Sequence, residues 1–180
     1  MNTKLYKEAF LDVRRINTLD PVTPELRLCK VLEEMGELAQ LVNKRLGRKV
    51  AKETEEELNA RVHEELADVV QCVYSWLDSS SIKTQDCEKV LEHINIPMKH
   101  NRTLSELLIS VFKKTTELSP DRIGCSSTAG ILTDAILIAK EFGLSFDDIN
   151  TMVLIKNKKW EKIAGERQEK EKTGLWPFSR

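Results

Sequence analysis

Residues 30–42 read KVLEEMGELAQLV, and residues 61–73 read RVHEELADVVQCV. Around each string apolar residues recur three and four apart, the period of a helix with one buried face. The first stripe is Leu28, Val31, Leu32, Met35, Leu38, Ala39 and Val42; the second is Leu58, Val62, Leu66, Val69, Val70 and Val73. Beside each stripe stands a pair of acids: Glu34 with Glu37, and Glu65 with Asp68. Positions i and i+3 share one helix face, about 4.5 Å apart along the axis at 1.5 Å per residue. Both pairs therefore belong at the edge of a core.

Helix signals continue outward in both directions. Residues 4–16 place Leu5, Ala9, Val13 and Ile16 at helical spacing, and LDPVTPE (19–25) ends that helix. Thr23 is an N-cap with Pro24 at the first helical position, and Gly47 is a fitting stop after Leu46. Thr54 with Glu57, Thr103 with Glu106 and Ser145 with Asp148 have capping-box spacing, opening helices over about 55–78, 104–118 and 146–168. A short helix over about 85–94 and another over 128–142, stopped by Gly143, complete the set. DSSSIKTQ (78–85), SPDRIGCSST (119–128) and the tail EKTGLWPFSR (171–180) read as loops. No stretch alternates as a strand does. The expectation is an all-α helical bundle, with residues 1–180 as a single domain.

Composition agrees. Only 7 Gly and 5 Pro in 180 residues, with 32% charged residues, favour helices over a turn-rich sandwich or barrel. Lys+Arg number 28 and Asp+Glu 29, a net charge of −1 that argues against a nucleic-acid partner. No apolar run reaches the roughly 18 residues of a membrane span, and MNTKLYKEAFLDVRR has no continuous apolar core of a secretory signal. Cys29, Cys72, Cys87 and Cys125 form no CxxC, so reduced thiols in a cytoplasmic chain are expected. Cys29 and Cys72 read as buried small hydrophobes.

The connection over 38–64 is long enough to fold the second acidic helix back on the first and bring four carboxylates together. Two such charges 4 Å apart repel by about 4 kcal/mol at an effective dielectric of 20, so the cluster is unfavourable without a cation. Oxygen-only donors suit Mg²⁺, or Mn²⁺, better than zinc. Acid pairs also arise on ordinary solvated faces, as Glu55, Glu56 and Glu57 illustrate, but two matching pairs in apolar frames are harder to dismiss.

E-x-x-E, a connection, then E-x-x-D resembles the MazG-like all-α nucleoside triphosphate pyrophosphohydrolases, a superfamily that includes the all-α dUTPases. EEMGEL and EELADVV carry the likeness, which covers about residues 24–78. The resemblance implies Glu34, Glu37, Glu65 and Asp68 as metal ligands, and hydrolysis of a (deoxy)nucleoside triphosphate to the monophosphate and pyrophosphate. A water would attack the α-phosphorus, with Glu33 to orient or deprotonate it; the plainer reading of Glu33 is an exposed acid about 100° from Glu34. The last helix resembles the family's C-terminal segment, where Lys156, Asn157 and Lys159 would contact phosphate, unless they are a solvated basic face near a helix C-terminus.

Residues 103–160 look like a degenerate second copy of this half. Shifted by 80, Thr103 falls on Thr23, Val111 on Val31, Glu117 on Glu37, and Lys114 on Glu34; shifted by 66, Asp134 falls on Asp68 and Ile131 on Glu65. Helical patterning alone would also align two hairpins. Tyr74, Trp76 and Trp160 suit base stacking or, more simply, the core, and Arg61 is placed to pair with Glu65. The alternative class is a catalytically silent helical module that binds nucleotide or protein. Base preference, and monomer against homo-oligomer, stay open.

Overall fold

The computed structural model describes residues 2–49, 52–79, 89–90, 92–94, 100–118 and 125–172. Within them the chain forms six long helices and no strand: α1 (Thr3–Leu19), α2 (Pro24–Arg45), α3 (Glu55–Ser79), α4 (Leu104–Thr116), α5 (Cys125–Glu141) and α6 (Phe146–Lys172). The all-α expectation holds. The short helix expected near 85–94 falls mostly outside the described residues. α5 begins three residues before the expected Thr128, and α6 runs four past 168.

Local chemistry sets the boundaries. Thr23 Oγ1 accepts from the Leu26 amide at the start of α2, with Pro24 spending no donor there. Thr54 and Glu57 exchange side-chain and backbone bonds ahead of α3, as do Thr103 and Glu106 ahead of α4, and Ser145 and Asp148 ahead of α6. Gly47 and Gly143 stand at φ +69° and +72°, a conformation that costs a side chain but not glycine.

Two antiparallel hairpins build the centre. In the first, Arg27 of α2 lies near Cys72 of α3, Glu34 near Glu65, and Lys44 shares Glu53 with Arg61. In the second, His100 meets Glu141, Ser110 meets Asp134, and Lys114 meets Gly130. α2 packs on α4 and α3 on α5. α1 and α6 lie against one another in the same sense, joined by Asn2–Asp147, Arg15–Glu161 and Asp20–Arg167, and both pack on α3.

α3 therefore touches four helices, which explains the uninterrupted burial of Val73, Tyr74, Ser75, Trp76 and Leu77. Tyr74 meets Tyr6 edge-on at 5.5 Å between ring centroids, and its hydroxyl donates to Asn150 Oδ1 at 2.9 Å. One hydrophobic cluster draws on all six helices. No helix among the described residues is long and apolar enough to cross a membrane.

Two expectations need correction. Cys29 is exposed; it lies 200° around the helix from Val31, outside the buried stripe. Arg61 pairs with Glu53, an acid in the α2–α3 connector, and not with Glu65 one turn along its own helix.

Candidate functional site

The α2–α3 hairpin brings three of the four acids together. One carboxylate oxygen each from Glu34, Glu37 and Glu65 lies within 4.8 Å of the others. Glu34 is buried at 7% exposure, Glu65 is partly buried and Glu37 is exposed. Helix geometry alone produces this: Glu34 and Glu37 face α3, and the antiparallel return puts Glu65 across from them.

The fourth acid is held by a lysine. Asp68 Oδ2 accepts from the Lys156 ammonium, which also donates to the Glu64 carbonyl at 3.1 Å. Lys156 reaches in from α6, 88 residues along the chain. Beside it on α6, Asn157 is wholly buried at 0% exposure, with Oδ1 and Nδ2 both unpartnered. Lys159 is exposed on the same helix. Glu33 is exposed on α2, and the Lys30 ammonium bridges it to Glu34, at 2.9 and 2.7 Å.

Lys30 is a participant that the acidic motifs did not reveal, although its position four residues before Glu34 is the ion-pair spacing of a helix. Burial works against its charge, but the bonds to Glu34 and Glu33 outweigh this and hold the ammonium above the usual lysine range.

Glu65 is the strained member. Burial first, then the Glu37, Asp68 and Glu34 carboxylates, push it up to about 7 from an ordinary 4.5, with Lys156 opposing. Its Oε2 is buried without a hydrogen-bond partner. An orphaned carboxylate oxygen among other carboxylates lacks a positive counterpart. The donor set is all oxygen, which fits Mg²⁺ or Mn²⁺.

The pH consequence has a definite sign. A folded-state pKa above the unfolded one means that the folded protein binds more protons between about pH 4.5 and 7. Stability of the metal-free protein then falls as pH rises through that window. Thermal melts in chelator should give a Tm several degrees higher at pH 5 than at pH 8, and Glu65→Gln should flatten the difference. A slope that survives this substitution would clear Glu65 of responsibility.

Two cavities flank the acids. The larger, about 270 Å³, lies among α1, α2, α3 and α6; Glu34 and Asp68 stand at its wall, with Val13, Ile16, Leu26 and Trp160 as its apolar part. Arg27 Nε and Gln71 Oε1, buried without partners, belong to residues lining the same space, supplying one donor and one acceptor. The other, about 230 Å³, is polar and bounded by Glu37, Glu65, Gln40, Lys44 and Arg61. The acidic cluster thus divides an amphipathic cavity from a charged one. Trp160 faces a cavity, whereas Tyr74 and Trp76 are core.

Between α4 and α5 no acidic cluster forms among the described residues. Asp134, 1% exposed, accepts from Lys114 at 2.5 Å, Arg102 at 2.6 Å and Ser110 at 2.7 Å. Burial opposes its charge, but these three bonds outweigh it and lower its pKa. Glu117 is exposed at the C-cap of α4.

Compared with known proteins, the chain matches no family model, no curated protein and no solved structure.

Proposed function

We propose that the chain is a divalent-metal-dependent hydrolase that cleaves a (deoxy)nucleoside triphosphate to the monophosphate and pyrophosphate. The observation that carries this reading is the convergence of Glu34, Glu37 and Glu65 on one point, with a buried Glu65 oxygen lacking a partner. Glu34, Glu37 and Glu65 would hold Mg²⁺, or Mn²⁺ in its place, with Asp68 as the fourth donor. The ion would supply charge neutralisation and Lewis acidity at the phosphates.

The chain's own groups do the rest. The larger cavity takes base and sugar: its size lies just under the roughly 300–1,000 Å³ of typical ligand pockets. Trp160 offers a stacking face, and Arg27 and Gln71 offer the hydrogen bonds that orient a base edge. Phosphates then lie at the acidic end, within reach of Lys30 and Lys156. Glu33, beside Glu34, takes the proton of the attacking water. Lys159 lies farther out, where it would act through its field alone. The all-α dUTPase-like variant differs only in which base the cavity accepts.

The second hairpin fits a duplication in which one copy has all four acids and the other keeps two, Glu117 and Asp134, and has lost two. Lys114 stands where Glu34 stands in the first copy, and Asp134 where Asp68 does.

The test is a panel of ribo- and deoxynucleoside triphosphates with Mg²⁺, the products identified by mass. At least one should yield pyrophosphate and the monophosphate, and chelator should stop it. No release from any of them at micromolar enzyme would favour the silent binding module.

A further inference from the structure

Both hairpins carry an ammonium on the same pair of acceptors. In the first, Lys156 Nζ binds Asp68 Oδ2 and the Glu64 carbonyl. In the second, Lys114 Nζ binds Asp134 Oδ2 at 2.5 Å and the Gly130 carbonyl at 3.2 Å. Gly130 and Asp134 lie each 66 residues beyond Glu64 and Asp68. An aspartate and the carbonyl one turn before it thus form a recurring oxygen-lined seat for a positive charge.

The two lysines reach their seats from different helices. Lys114 comes from α4, the partner of α5 in its own hairpin, and is packed so closely that a Cβ on Gly130 would stand 3.2 Å from its Cδ, Cε and Nζ. Arg102 and Ser110 bind Asp134 as well. That seat has a permanent tenant. Lys156 comes from α6, outside the first hairpin, and among the described residues no other side chain bonds to Asp68. The three acids beside Asp68 form a cluster that does not include it, and its Oδ2 is held by Lys156 instead.

We infer that Lys156 is a displaceable counter-ion: it holds Asp68 in the metal-free protein, and a divalent ion enters by taking Asp68 from it and freeing the ammonium. This rests on the functional reading above. Drawing Asp68 Oδ2 onto the metal removes the acceptor that holds Lys156, so metal loading and release of the ammonium are coupled. The freed ammonium is left beside the acidic end of the larger cavity, where a phosphate chain would lie. Metal and nucleotide are then coupled through one side chain, whose removal should move their affinities in opposite directions.

Calorimetry with Mg²⁺ alone, and with a non-hydrolysable deoxynucleoside triphosphate, tests this. Lys156→Met should tighten Mg²⁺ binding by about tenfold and weaken the nucleotide analogue. Lys159→Met, which removes a charge three residues along the same helix, should change Mg²⁺ affinity much less; this separates displacement from the loss of a nearby field. In the unaltered protein, the ¹⁵N signal of the Lys156 ammonium should move to the position of a free lysine as Mg²⁺ is added. Unchanged or weaker Mg²⁺ binding in Lys156→Met, or an ammonium signal that stays in place on saturation, overturns the exchange and leaves the functional reading standing. No Mg²⁺ or Mn²⁺ uptake by the unaltered protein, with or without nucleotide, ends both.

Discussion

Under the proposed function, Glu37→Gln should cut metal-dependent pyrophosphate release by about a thousandfold, the equivalent of roughly 4 kcal/mol of transition-state stabilisation. Glu37 is the most informative of the acids because it is exposed. Its amide can take the same space without disturbing the core, so the helices and the melting transition should persist. Removing one negative charge from beside Glu34 and Glu65 should even raise the Tm of the metal-free protein, since Glu37 is one of the groups that push Glu65 upward. The informative result is the pair: turnover lost and Mg²⁺ binding weakened, with stability equal or higher. Turnover within tenfold of the unaltered protein would remove Glu37 from the ligand set.

The second large effect is on stability and lies in the other hairpin. Asp134→Ala should destabilise the fold by about 3 kcal/mol, the low end of the range for breaking a buried ion pair. The low end applies because Lys114 and Arg102 are partly exposed and regain water when released. For a chain of this size that is a Tm loss of about 6–12 °C. The pH signature also has a fixed sign. Asp134 is lowered below its ordinary 3.8 in the folded protein, so its contribution is full above that value and is lost as pH falls through the folded pKa. Asp134→Ala should therefore cost most at neutral pH and little in strong acid, while Mg²⁺ affinity stays as it was. A drop in metal affinity would mean that the second hairpin binds metal too.

What could be read in advance was what is local. Thr23, Thr54, Thr103 and Ser145 cap their helices through residues three positions away, so a short window contains the whole interaction. The meeting of Glu34, Glu37 and Glu65 was legible for the same reason: one helix face, one connector, one return. Asp68 was not. It has the spacing of a fourth ligand, but its partner is 88 residues away on a helix whose approach no local pattern encodes. Arg61 shows the opposite failure. A local rule offered it Glu65, but the connector brought Glu53 into better reach. Cys29 was misjudged because a stripe has a width, and neighbours of a buried position need not share its burial. The larger cavity had no sequence signal, because its walls come from four helices.

The pairing of α1 with α6 bears on how the molecule is made. A ribosome adding about 5–20 residues per second delivers Asp147 roughly 7–30 s after its partner Asn2, so α1 is made well before α6, the helix that lies along it. Before α6 emerges, Tyr6 and Phe10 can meet Tyr74 once α3 is made, but Tyr6 still lacks the Phe146 ring it also meets in the finished fold. Trp160, Ala164 and Arg167 of α6 form one wall of the larger cavity, so that wall is the last of its parts to be made.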